Sequence, residues 1–167
     1  MAINIVESDI CWKLRAAYTA ALMSPDTSTR LGALIVQQGW NVSHGCNKFV
    51  PGFGDSPEDY ERPLKYAVTE HAERNAIFNA FRDGWNLTGL TLCCPWVACP
   101  DCARAIVLSG LSEVICHKEC MDRTPERWRE LVDTGLLILE RGGVKVIQWS
   151  GKIGGVENLN NGEIWYP

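Results

Sequence analysis

Two short stretches constrain this 167-residue chain more than anything else in it: His71-Ala72-Glu73 and Cys99-Pro100-Asp101-Cys102. One imidazole and two thiols supply three metal-bonding atoms. Three protein ligands with a fourth position open is the arrangement of a catalytic zinc ion, whereas structural sites close all four positions. For the three to share one ion, the chain must leave the region of residue 71 and return to it by residue 99. Glu73, two residues past the histidine, is placed to move protons rather than to bind metal.

Both pairs read as helix starts. Thr69 is a cap candidate for a helix to about residue 82, closed by Asp83-Gly84. Cys99 opens a second helix with Pro100 in the first helical position, where its missing N–H costs nothing. Helix N-termini carry partial positive charge and free N–H groups, which lower the pKa of a cysteine there and favour the thiolate that zinc needs.

The remaining elements follow from periodicity and breakers. Ser8 is a cap candidate for a first helix to about residue 22, with Ile10, Leu14, Ala17, Tyr18, Ala21 and Leu22 forming one apolar stripe. Ser24-Pro25-Asp26 ends it. Residues 31–36 and 42–46 flank a turn-like stretch and read as a hairpin. Residues 47–63 read as an irregular loop, and because they run straight into the histidine stretch they are a candidate pocket rim. Strands are expected over 87–94, 114–117 and 144–149. Between them lie the Cys99 helix, to about 110, and a helix opened by Thr124-Pro125-Glu126 and running to about 140. A hairpin followed by alternating helices and strands predicts an α/β fold with a largely parallel second half and helices on both faces of one sheet. The length suits a single domain over residues 1–167, with the Gly- and Asn-rich stretch 150–167 as an extended tail or arm.

Composition narrows the partners. The net charge is −4 and the sequence shows no basic stripe, so a small substrate is favoured over a long nucleic acid. Apolar runs such as 136–139 are far shorter than a membrane crossing requires. The first residues lack the basic start, apolar stretch and cleavage site of a secretion signal. Of the eight cysteines, Cys93 and Cys116 fall where apolar strand residues belong, so reduced thiols and a cytoplasmic location are expected.

The chemistry that asks for this set is hydrolytic deamination. Zinc can lower the pKa of water from about 15.7 to roughly 7. One carboxylate can then take the water's proton, protonate a ring nitrogen, and later protonate a leaving amine. Taken singly, Cys-x-x-Cys also describes a structural zinc knuckle or a redox pair, and His-Ala-Glu is a chance tripeptide of many helices. Their occurrence together, at two helix starts separated by a strand, matches the signature of zinc deaminases.

On these residues the chain resembles the cytidine/deoxycytidylate deaminase superfamily, and most closely its deoxycytidylate (dCMP) branch. The likeness spans about residues 8–120. It includes His71-Ala-Glu73-Arg-Asn-Ala-Ile and Cys99-Pro-Asp-Cys102-Ala, Ser24-Pro-Asp-Thr-Ser-Thr-Arg-Leu-Gly-Ala-Leu-Ile-Val36, and the Gly45-Cys-Asn47-Lys-Phe-Val-Pro51 turn. Lys65-Tyr66 and Ser109-Gly-Leu-Ser-Glu-Val-Ile115 belong to it as well. The resemblance implies a three-layer α/β/α sandwich with one mixed five-stranded sheet. It implies one catalytic zinc on His71, Cys99 and Cys102, and Glu73 as proton shuttle. Asn47 would bond the sugar hydroxyl, and the Ala72 N–H and carbonyls of residues 94–96 would read the base edge; Arg30 and Lys48 are candidates for phosphate contact and read equally as ordinary surface charge. The implied reaction, that of a hydrolase acting on C–N bonds of cyclic amidines, converts a cytosine deoxynucleotide to its uracil counterpart, with dCMP first and dCTP or 5-substituted forms as variants. A homo-oligomer, dimer or hexamer, and an allosteric nucleotide carrying Mg2+ are further partners known in the family.

The chain also departs from the family pattern. Ala98 stands where the family has Pro before the first zinc cysteine. Trp96 sits where polynucleotide cytosine deaminases carry Trp; it would stack under the base, or else simply fill the core. Asn47 also fits a plain turn, the less favoured of its two readings. His44, Cys46, Cys116, His117 and Cys120 offer atoms for a second, structural zinc, but in no spacing typical of one. Two alternatives stand beside the nucleotide enzyme: a deaminase of tRNA adenosine or single-stranded cytosine, and a zinc-stabilised binding module without activity.

Overall fold

The computed structural model describes residues 5–54 and 56–167, with backbone alone at 5–8 and 57; residues 1–4, the start of the expected 1–167 domain, lie outside the described residues. The chain runs through α1 (Ile5–Ala21), a hairpin of β1 (Gly32–Gln37) and β2 (Trp40–Cys46), and the two-residue β3 (Lys48–Phe49). A 3-10 turn at Pro57–Tyr60 leads to α2 (Leu64–Val68), β4 (Thr69–Glu70), α3 (Ala72–Arg82), β5 (Thr91–Cys93) and α4 (Pro100–Leu108). Then come β6 (Glu113–His117), α5 (Lys118–Met121), α6 (Glu126–Arg141), β7 (Lys145–Trp149), β8 (Asn158–Asn160) and β9 (Glu163–Trp165).

Five strands form one mixed sheet in the order β2-β1-β5-β6-β7. β1 pairs antiparallel with β2 and β5, whereas β5–β6 and β6–β7 are parallel. Alternate side chains on a strand face opposite ways, and they sort the core into two layers. Ala33, Ile35, Leu92, Val114 and Cys116 pack with Ala76, Ile77, Ala103, Ile106 and Leu139 of α3, α4 and α6. Leu34, Val36, Cys93 and Ile115 pack with Ile10, Leu14, Ala17 and Tyr18 of α1. The expected three layers with helices on both faces are present.

Two close approaches set the position of the helices that carry the motifs. A Cβ on Gly45 of β2 would meet the backbone of α3 at Ala76 N (2.5 Å) and Ala72 O (2.7 Å). A Cβ on Gly135 of α6 would lie 1.8 Å from the carbonyl oxygen of Ala98. α3 is also tied to β2 by hydrogen bonds: Asn75 Nδ2 donates to Cys46 O (2.8 Å), Asn79 Nδ2 to His44 O (2.9 Å), and Ser43 Oγ to Ala76 O (2.9 Å).

Several local expectations are corrected. Ser8 lies inside α1, which begins by Ile5; no Gly or Pro precedes it to stop the helix. Thr69 is no cap. It pairs with Phe49 in the β3–β4 ladder, which keeps the backbone extended until His71, and His71 takes the cap position. The 47–63 loop therefore contains a short strand and a 3-10 turn. The helix opened by Thr124-Pro125-Glu126 is present as α6, with Pro125 in the cap position; the Thr124 hydroxyl donates to Met121 O (2.6 Å) and accepts from Trp96 Nε1 (2.7 Å). Residues 150–167 do not project as an arm. β8 and β9 form a hairpin that folds back on residues 28–30: Arg30 N donates to Leu159 O (2.9 Å) and Gly162 N to Ser28 O (2.8 Å).

Candidate active site

His71, Cys99 and Cys102 meet where α3 and α4 begin. His71 Nδ1 lies 3.4 Å from Cys99 Sγ and 3.5 Å from Cys102 Sγ. Tetrahedral bonding with Zn–S near 2.3 Å and Zn–N near 2.0–2.1 Å requires N···S edges of about 3.5 Å. The donor set and its spacing fit a zinc ion, and among the described residues no other group of three or more such side chains comes together.

The sequence dictates this convergence locally. The β3–β4 ladder delivers His71 in extended conformation, its N–H donating to Glu70 Oε1 (2.9 Å). The same carboxylate is held by Arg74 Nε, one turn on (2.6 Å). Cys99 caps α4, with the N–H of Cys102 donating to its sulfur (3.5 Å). Pro100 follows in the first turn, as its fixed φ favours. β5 and the loop after it are held to β6 by Cys94 N→Ile115 O (3.0 Å) and His117 N→Pro95 O (3.1 Å). Between those anchors and Cys99 the Val97–Ala98 peptide is cis.

Electrostatics favours binding a cation here. The thiol of Cys102, donating to Cys99, together with the adjacent His71, holds the Cys99 pKa down to about 3 despite burial. Cys102, sharing its proton with that thiolate in a buried place, is pushed far upward. Burial disfavours the charged His71 ring, but the Cys99 sulfur and the Glu73 carboxylate outweigh it and raise the ring to about 9. A divalent cation would replace both of these protons. Glu73 is 2% exposed. Burial pushes its pKa up to about 6 against the attraction of His71, within the range of a group that must both accept and release a proton at neutral pH.

His71 and Cys99 open onto a cleft of about 940 Å³, its mouth included. Asp26, Ser28, Thr29 and Leu31 form one wall; Tyr66, Trp96, Trp128, Leu131 and Val132 form an apolar one. Asn160 and Asn161 of the C-terminal hairpin complete it. Four cations line it. Lys65 is buried against Asp26 (2.8 Å), whereas Arg62, Arg123 and Arg127 have no carboxylate partner among the described residues.

The sequence of residues 7–118 matches the family model described as "Cytidine and deoxycytidylate deaminase zinc-binding region". The chain belongs to this family. Members hydrolyse C–N bonds, and the zinc-binding region of the match contains the three converging side chains. A relative named "Uncharacterized deaminase in luxG 3′ region" from Aliivibrio fischeri is 36% identical over 138 residues, covering 81% of this chain and 91% of its own length. The deoxycytidylate deaminase of Enterobacteria phage T2 is 36% identical over 76 residues, 46% of this chain and 36% of that enzyme. A dCMP deaminase from cyanophage S-TIM5, solved in complex with dCMP and dUMP, shares the fold at 20% identity with a TM-score of 0.65, covering 89% of this chain and all of that one.

Not every residue assigned by family resemblance lies in the cleft. Trp96 lines it, its indole anchored on Thr124, while its carbonyl accepts from Cys94 Sγ (3.2 Å) and so is already engaged. Ala72 is fully buried, with its N–H in the first helical position, where no intrahelical acceptor exists. Asn47 is a strut beneath the wall. Its amide donates to Thr29 O (2.8 Å) and Asp26 Oδ2 (3.2 Å), and its Oδ1 accepts from Leu31 N (2.7 Å). These partners, not Asn47, face the cleft. Arg30 and Lys48 do not line it: Arg30 Nε donates to Asp26 O (3.1 Å), and Lys48 is exposed on β3. Arg123 and Arg127, which line the cleft, escaped the sequence reading. Their one signal was the density of Arg and Trp in Arg123-Thr-Pro-Glu-Arg127-Trp128-Arg129.

Proposed function

We propose that this protein hydrolyses the exocyclic amine of a cytosine deoxynucleotide, converting dCMP to dUMP and ammonia. One observation carries the reading: the His71–Cys99–Cys102 triad, with buried Glu73 beside it, opens onto a cleft whose arginines lack carboxylate partners among the described residues. The dCMP deaminases among its relatives support the same substrate.

His71, Cys99 and Cys102 would hold the zinc, which when bound supplies Lewis acidity that makes water acidic enough to attack at neutral pH. Glu73 takes one proton from the attacking water and delivers it to the ring nitrogen beside the carbon under attack. It then takes the remaining proton from the added hydroxyl and passes it to the amine, so that the C–N bond breaks, the amine leaves as ammonia, and the water's oxygen stays on the ring as the carbonyl. Its burial keeps those transfers out of bulk solvent and holds its pKa near the working pH. Trp96, fixed by Thr124, offers a flat apolar face to the base. The arginines at the mouth receive the phosphate, a task for which the guanidinium fork is suited, and they replace Arg30 and Lys48 in that role.

The test is a substrate panel: dCMP, dCTP, deoxycytidine, their 5-substituted forms and a single-stranded oligonucleotide, followed by ammonia release and loss of cytosine absorbance. Fastest turnover of dCMP is expected. Preference for the oligonucleotide would move the assignment to a nucleic-acid deaminase, and no deamination of any of them would overturn it.

A further inference from the structure

The three arginines at the mouth are not held alike. Arg123 Cζ lies 4.3 Å from the centroid of the Trp165 ring, against 5.6 Å for Arg62 over Tyr66 and 5.9 Å for Arg127 over Trp128. Tyr66 and Trp128 sit on short or exposed helical segments. Trp165 belongs to the C-terminal hairpin and is fixed from within the core. Its ring lies within 12° of parallel to that of His117, 6.1 Å away, and Tyr18 stands edge-on to it at 6.1 Å. His117 is itself immobilised, by Tyr18 Oη on Nδ1 (2.8 Å) and the Gly151 carbonyl at Nε2 (2.9 Å). The Trp165 indole donates to Asn158 Oδ1 (3.2 Å), and the main chain of Arg123 is tied by its N–H to Cys120 O (3.2 Å).

A guanidinium lying over an aromatic ring has its flat face covered and its in-plane N–H groups free, and those are the groups that grip an oxyanion. Arg123 meets no carboxylate among the described residues, in a chain whose net charge is −4. The hairpin that carries Trp165 also supplies Asn160 and Asn161 to the cleft wall.

We propose that Trp165 is a positioning residue that holds Arg123 ready for the 5′-phosphate, so that the C-terminal hairpin selects phosphorylated over unphosphorylated substrates. This rests on the nucleotide reading above. Arg123 is the residue that touches phosphate; Trp165 acts only through it.

The experiment compares wild type, Arg123→Gln, Trp165→Ala, Trp165→Phe and the Arg123→Gln/Trp165→Ala pair. KM and kcat are measured for dCMP and deoxycytidine, and dissociation constants for dUMP and deoxyuridine. Arg123→Gln should raise KM for dCMP roughly 10–100-fold, the loss of one charge-assisted contact, with kcat little changed. Trp165→Ala should raise it about 3–10-fold, the scale of a cation–π contact, and Trp165→Phe should restore most of that. Deoxycytidine and deoxyuridine should be indifferent to all of these changes, and Trp165→Ala should add nothing once Arg123 is gone. Equal losses for phosphorylated and unphosphorylated ligands, or full additivity of the two substitutions, would overturn the proposal. If no variant deaminates anything, the reaction assignment fails, and the preference for dUMP over deoxyuridine still scores the positioning role by itself. Should Trp165→Ala not fold, Arg123→Lys keeps the charge without the planar fork. A loss confined to dUMP then supports the proposal, and unchanged dUMP affinity overturns it.

Discussion

Gly135 of α6 lies flat against the carbonyl of Ala98, the residue immediately before the metal-side Cys99, so close that a methyl group there would sit 1.8 Å from the oxygen. The helix thereby buttresses the turn from which Cys99 and Cys102 project. Gly135→Ala is expected to destabilise the fold by at least the roughly 1–3 kcal/mol of an overpacked core. It should also lower zinc occupancy, because the displaced atom is one residue from a ligand. Urea unfolding and metal analysis of the variant measure both effects; a variant with wild-type stability and full zinc would show that α6 does not brace the site.

Glu73 lies beside the ligands without being one of the three that converge. Glu73→Gln keeps its shape and removes its basicity, so kcat for dCMP should fall by about 10²–10⁴-fold while zinc content stays at one ion per chain. Metal loss in step with activity would make Glu73 a support of the site and not its proton carrier.

The thiols should separate by reactivity in metal-free protein. The Cys102 thiol and the His71 ring hold the Cys99 pKa down to about 3, so Cys99 is already a thiolate across pH 5–8. Its alkylation rate should be nearly flat over that range, whereas an ordinary thiol gains about tenfold per pH unit below its pKa near 8.5. Burial pushes Cys93, Cys116 and Cys120 up to about 12, and these should stay unmodified throughout. Mass spectrometry after iodoacetamide treatment reads the sites directly, and zinc should protect Cys99.

Lys65 and Asp26 form a buried pair under the cleft wall (2.8 Å), and Asp26 also accepts from the N–H groups of Ser28 and Thr29 (2.8 and 2.9 Å). Lys65→Met would strand the carboxylate. A loss of about 3–5 kcal/mol is expected on that account, together with a raised KM, since Ser28 and Thr29 face the cleft. If denaturant titration shows a change under 1 kcal/mol, the pair is not what orders this wall.

The metal-side triad was legible because its chemistry demands particular residue types in a close pattern, and the start of α4 and the end of α3 follow from Pro100 and Gly84 by local rules. The sheet was legible for a similar reason, since the unbroken apolar runs in residues 32–36 and 114–116 follow from burial on both faces. The cleft was not. Arg123 and Arg127 look like any surface arginine until tertiary packing leaves them without carboxylates among the described residues, and Asn47 looks like a ligand contact until its amide is seen to be engaged by Asp26, Thr29 and Leu31. Thr69 failed as a cap because a two-residue ladder formed at long range, by Lys48 and Phe49, outweighed the local preference.

The C-terminal hairpin imposes an order on the assembly of the protein. All three ligands lie at or before residue 102, whereas the hairpin that closes the cleft starts at Asn158. At about 5–20 residues per second, a chain emerging from the ribosome carries a complete ligand set for several seconds before it has a wall to exclude solvent or a Trp165 to steady Arg123. The three side chains can therefore meet a metal ion before the hairpin adds Asn160 and Asn161 to the cleft wall.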